Sequence, residues 1–122
     1  MKEIALVFVG GGLGSALRFG VGKLFISSLN KFPTATFLVN MIGCLLIGLF
    51  VAYFSKSENS FYKLLLVTGF CGGFTTFSTF SNESIILLKN NQFTLAIIYI
   101  LSSLIVGLLA TFLGYFLMNK FL

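Results

Sequence analysis

Between Thr75 and Ser84, eight of ten residues are polar, and the other two are Phe77 and Phe80. The wider stretch, GFCGGFTTFSTFSNES from Gly69 to Ser84, interleaves hydroxyls, one amide and one carboxylate with phenyl rings. Phe74, Phe77 and Phe80 recur every third residue, and Thr75, Thr79 and Glu83 every fourth, so a helix carries rings and hydroxyls on one mixed face. The edge of a phenyl ring is partially positive. Rings turned edge-on beside hydroxyl donors therefore stabilise an anion without the full charge of Arg or Lys, which would hold it in place. Core packing is the other use of such a stripe.

Three further groups bear on the same chemistry. Arg18 lies inside an apolar run. It either snorkels to the interface or supplies a fixed positive charge at an aqueous vestibule. Asn40, in TFLVNMIGC, has Thr36 one turn earlier on the same face. Its amide either bridges helices or donates to a passing anion. Tyr99, Ser103 and Thr111 follow at helical spacing, with Gly107 in the position between the last two. These hydroxyls form a track along one helix face, or else bridge helices.

Other chemistries are excluded by what is missing. The sequence has no His, no Asp and only three Glu, so neither His-based triads nor acidic metal clusters can be built. Cys44 and Cys71 lie in separate apolar segments without C-x-x-C spacing and read as small buried residues, not a disulfide. GGGLGSALRFG (Gly10 to Gly20) resembles a phosphate loop only superficially, since it lacks the G-K-[ST] ending. Gly10 with Gly14, and Gly11 with Ser15, have the small-x-x-x-small spacing that lets helix backbones approach closely. No enzyme chemistry is suggested.

The elements that must position these groups are membrane helices. Of 122 residues, 57% are hydrophobic and 9% charged, against roughly 25% charged in soluble domains. Mean hydropathy is +1.05. Spans of about 20 apolar residues are read at Ile4 to Leu29, Thr34 to Phe54, Phe61 to Leu88 and Phe93 to Met118. The first is read as a span rather than a cleaved signal, because no small-residue cleavage site follows its apolar run. SKSENS (Ser55 to Ser60) and KNNQ (Lys89 to Gln92) are the polar links. The predicted architecture is a single all-α domain of four transmembrane helices over residues 1–122. In the third span, Gly69, Gly72 and Gly73 precede Thr75 and Thr76, and this combination weakens a helix. Either the span breaks near its middle, or it continues and uses the glycines for packing.

Basic residues near span ends set orientation. One side holds Lys2, Lys56, Lys63 and Lys120, the other Lys23, Lys31 and Lys89. This near balance fits insertion in both directions, and hence an antiparallel homodimer, as well as one weakly biased topology.

Length, four spans, the Gly-rich first span with Arg18, VNMIGC and GFCGGFTTFSTFSNE together resemble the Fluc-type (CrcB) fluoride channel family. The resemblance covers the whole chain. It implies a passive, fluoride-selective channel in the cell inner membrane that exports fluoride and protects against its toxicity. It further implies a dual-topology antiparallel homodimer. The backbone carbonyls of Gly72 and Thr75 from both subunits would surround a structural sodium ion. Phe77 and Phe80 would line the anion pathway edge-on, with Asn40, Tyr99 and Ser103, and either water or Thr111 would complete the lower track. Arg18 and Thr36 would stand at the vestibule. Gly107 departs from relatives that carry Ser there. Two rival functions fit the residues less well. A small multidrug-resistance cation/proton antiporter needs a carboxylate in the first span, where this chain has Arg18. A non-transporting membrane subunit would not need two polar stripes.

Overall fold

The computed structural model describes residues 1–25, 31–57 and 59–122. Among these, four helical segments are long and apolar enough to cross a membrane. The first is α1, Lys2–Leu24, and the second is α2, Thr34–Ser55. The expected end of the first span at Leu29 lies outside the described residues, as does Glu58 in the middle loop. Pro33 sits at the N-cap of α2, just before its first turn.

The third segment, Ser60–Lys89, is assembled from pieces. A single α turn, α3 (Ser60–Lys63), is capped by the Asn59 side chain accepting from Tyr62 N–H. A π-helical stretch, Leu64–Cys71, follows, and then a short α4, Gly72–Phe74. Thr75 (φ −78°, ψ 156°) and Thr76 (φ −149°, ψ 118°) are extended, and α5 runs over Phe77–Lys89. The fourth segment is α6, Phe93–Phe121. The link into α6 is a Schellman turn. Asn91 N–H donates to Leu88 O and Gln92 N–H to Leu87 O, with Asn91 at φ 59°. Asn tolerates that left-handed conformation better than most residues.

Packing follows two pairings. α1 lies mainly on the π-helical stretch and α4, while α2 lies mainly on α6. The first pairing is backbone against backbone. A methyl group on Gly10 would collide with Leu65 O, and one on Gly14 with Phe70 O. Gly73 would likewise run into Gly11 O. The glycines of the third segment are thus occupied by helix contact. Gly72, where an added methyl would meet nothing within 4 Å, is the exception. The second pairing uses Gly48 against Thr111 O and Gly114 against Leu45 O in the same way. A small aromatic core joins α5 to α6: Phe80, Leu87, Ala96 and Tyr99, with Phe32 and Phe37 packed against it. Cys44 and Cys71 are free thiols, and Cys71 is buried.

Candidate functional site

Two cavities meet at Thr76. The smaller, about 270 Å³, is lined by Asn40, Thr75, Thr76, Phe77, Phe80 and Ser103, among apolar neighbours. The larger, about 760 Å³, is lined by Ser15, Arg18, Lys23, Thr36, Thr79 and Glu83, and again by Thr76. Most polar residues singled out in the sequence therefore fall on one of two surfaces that share Thr76. One is narrow and aromatic, and the other is wide and carries two cations.

Local structure explains the narrow surface. Thr75 closes the preceding helix, its N–H and its hydroxyl both donating to Cys71 O at 3.0 and 2.8 Å. Thr76 opens the next one as an N-cap. Its hydroxyl oxygen accepts from Thr79 N–H at 3.2 Å, while its O–H reaches Thr79 Oγ1 at 3.1 Å. Its backbone is paired with Asn40 of α2. Thr76 N–H donates to Asn40 Oδ1 at 2.8 Å, and Asn40 Nδ2 donates to Thr76 O at 3.1 Å. Of the two readings of Asn40, helix bridging is the one the structure shows. The first turn of α5 then presents the rings. Phe77 and Phe80 stand 5.6 Å apart at 45°, Phe77 75% exposed and Phe80 8%. Among the described residues, Ser103 Oγ is buried here with no hydrogen-bond partner. A buried hydroxyl without a partner is uncommon, and this one lies on the wall of a cavity able to supply one.

The wide surface is organised by Glu83. Thr36 Oγ1 donates to its Oε1 at 2.8 Å, and Tyr99 OH donates to its Oε2 at 2.7 Å. Both carboxylate oxygens are thereby occupied, while Arg18 and Lys23 face the same space. The Lys23 ammonium lies 5.2 Å above the Phe19 ring. An anion entering this cavity meets two cations and a carboxylate each of whose oxygens already accepts one hydrogen bond. Tyr99 itself is fully buried behind Phe80, with ring centroids 5.2 Å apart, and Phe32 meets its other side edge-on at 5.3 Å.

Two sequence-predicted positions stand apart. Thr111 lines neither cavity. Its hydroxyl donates back to Gly107 O at 3.1 Å, and its own carbonyl lies against Gly48. Gly107 is buried beside Cys44 and Met41. Conversely, Thr76, Ser15 and Lys23 line these cavities although the sequence gives them no anion-binding role. Glu83, on the mixed face of the third span, lines the wide cavity. An ionisable residue inside a span marks a functional site by default.

The implied cation was tested against the backbone. In a continuous α-helix Thr76 N–H would serve Gly72 O, but here it serves Asn40. Thr79 N–H, which would serve Thr75 O, serves the Thr76 hydroxyl instead. Among the described residues, neither the Gly72 nor the Thr75 carbonyl accepts a hydrogen bond. Two neutral, hard oxygens freed in this way fit a hard monovalent cation. The described residues hold no group of three or more His, Cys, Asp or Glu side chains that could hold a metal ion.

Comparison with known proteins now bears on this geometry. Residues 5–115 match the family model described as CrcB-like protein, Camphor Resistance (CrcB). A protein of Flavobacterium psychrophilum is 49% identical over 118 residues, covering 93% of this chain and 94% of its own length. One from Gloeothece citriformis is 49% identical over 122 residues, covering 98% and 99%. One from Bacteroides fragilis is 44% identical over 126 residues, covering 99% of each. All three are named fluoride-specific ion channel FluC.

Proposed function

The chain belongs to the CrcB-like family, and from that premise we propose that it is a passive, fluoride-selective channel that exports fluoride and protects the cell from its toxicity. It is a multi-pass membrane protein and not an enzyme. The observation that carries the reading is near full-length similarity to fluoride-specific channels, in a chain whose Phe77, Phe80, Ser103 and Asn40 line one cavity. In this reading fluoride collects in the wide cavity near Arg18 and Thr36. It then crosses past Asn40, Phe77 and Phe80, and leaves along the hydroxyls of α6. Tyr99 acts there through Glu83, and Ser103 by its free hydroxyl. Thr111 contributes once its hydroxyl turns away from Gly107.

The finer assembly belongs to the same proposal. The third span acts as two half-helices around Thr75 and Thr76. Ser78, Thr79, Asn82 and the Phe77 ring are exposed in one protomer, and lipid offers hydroxyls and amides no partners. A second, antiparallel copy in the inner membrane would cover them. The same copy would bring its own Gly72 and Thr75 carbonyls to a shared sodium ion, whose charge would hold the four oxygens together.

The deciding experiment is efflux from liposomes containing purified protein, with a potassium ionophore supplying counter-charge. Fluoride should leave rapidly and chloride negligibly. Equal rates for the two would refute selectivity, and proton-coupled uptake of a cationic dye would favour an antiporter.

A further inference from the structure

Asn40 and Thr76 lie 36 residues apart and exchange two hydrogen bonds. A neighbouring strand makes this pair of bonds to an extended residue in a sheet. Here one side-chain amide takes the strand's place. Thr76 requires such a partner. Its extended backbone has left the helical ladder, and at 7% exposure, inside a span, lipid offers its amide no partner in place of the lost bond. Its hydroxyl is already spent on Thr79. Asn40 has two amide N–H donors, and one of them is committed to Thr76 O. Thr76 also lines both cavities, so whatever fixes Thr76 fixes the wall between them and the first turn of α5.

We propose that Asn40 is a positioning residue. By clamping Thr76 in its extended conformation it sets the start of α5, and so the angle at which the Phe77 and Phe80 rings meet the narrow cavity. Its effect on flux runs through Thr76 and not through donation to the ion. The proposal rests on the fluoride-channel reading.

Asn40→Asp separates the two roles. A protonated carboxyl has one oxygen to accept from Thr76 N–H and one O–H to donate to Thr76 O. It reproduces the clamp with no donor left for an ion. The ionised form has no donor, and its second oxygen opposes Thr76 O. Fluoride flux is measured in proteoliposomes from alkaline to mildly acidic pH, with protein-free vesicles subtracted because neutral HF crosses bilayers unaided. Asn40→Asp should conduct poorly at alkaline pH and recover to within a few-fold of wild type as the carboxyl protonates. Asn40→Leu should stay low throughout. Recovery within one vesicle sample shows that the variant is folded. If Asn40→Asp stays at the Asn40→Leu level at the acid end, flux needs the second amide donor, and the proposal fails.

A second readout does not depend on conduction. Thr76 amide hydrogen exchange in detergent should be at least about tenfold faster in Asn40→Leu than in wild type, because local opening is no longer opposed. Equal exchange would also overturn the clamp. Wild-type vesicles that fail to pass fluoride would count against the channel reading, and the exchange comparison would then decide the clamp alone.

Discussion

Tyr99 reaches from α6 to α5 and donates its hydroxyl to Glu83 Oε2 at 2.7 Å, from a side chain with no solvent exposure. The carboxylate is thus held from two sides, by Tyr99 and by Thr36. Tyr99→Phe keeps the ring contacts and removes one donor, so it should lower stability by about 1–2 kcal/mol. Thr36→Val should cost a similar amount. The double variant should lose more than the sum, since the two sites share one acceptor. Thermal unfolding in detergent measures all three. Unchanged midpoints in both single variants would mean that the carboxylate replaces these donors with water.

Phe77 and Phe80 should separate stability from transport. Phe80 packs in the core with Tyr99, so Phe80→Ala should destabilise by about 3–5 kcal/mol. Phe77 is 75% exposed in one protomer, and Phe77→Leu should alter protomer stability little. Losing its ring edge at the barrier should still slow fluoride about tenfold, the equivalent of about 1.4 kcal/mol. Flux is compared at equal protein content per vesicle. Wild-type flux in Phe77→Leu would return that ring to a packing role.

Gly107 and Gly114 face α2 with different clearances. A Cβ at Gly107 would sit 3.5 Å from Cys44 Sγ and from Met41 Cε, an ordinary contact. A Cβ at Gly114 would overlap Leu45 O and lie 3.0 Å from Leu49 N. Gly107→Ser should therefore fold at least as well as wild type and conduct at least as fast, with a hydroxyl added below Ser103. Gly114→Ala should cost about 1–3 kcal/mol. Stability and flux assays on both variants check this, and a non-conducting but folded Gly107→Ser would contradict it.

Dual topology predicts that Ser57→Cys, in a background with Cys44 and Cys71 replaced by Ala, reacts with an impermeant thiol reagent from both faces of native membranes. Labelling from one face only would rule out insertion in both directions.

A sodium ion bound to the folded state alone stabilises it, by about 2.7 kcal/mol at about a hundredfold excess over Kd. Replacing sodium with a bulky organic cation should lower the unfolding midpoint, and restoring sodium should raise it again. The same midpoint in both buffers would remove the ion from the proposal.

The span limits were legible in the sequence because each rests on local signals. Pro33 precedes the first turn of α2, and Asn90 to Gln92 carry the turn chemistry that separates α5 from α6. The interior of the third span was less legible. The glycines pointed to Gly72 to Thr75, whereas Gly72–Phe74 is helical and the extended residues are Thr75 and Thr76. Gly73 serves contact with α1, and the residue that takes Thr76 N–H from its helical partner comes from α2. No local spacing contains that bond. The partners of Glu83 were hidden for the same reason, its two donors being 47 and 16 residues away. Thr111 shows a different limit. Helical spacing placed it on the track, but spacing says nothing about where a hydroxyl points, and this one bonds its own helix.

The contact of α1 with the third segment also sets a timetable for synthesis. α1 packs mainly on the π-helical stretch and α4, and much less on α2, which follows it in the chain. Its glycine seam therefore has no matching surface until residues 65–73 have left the ribosome. During that interval the first span must stay in lipid or lean on the insertion machinery. Crosslinking of chains stalled before and after residue 73 would show it, as a first span that exchanges the insertase for its own third segment only in the longer chain.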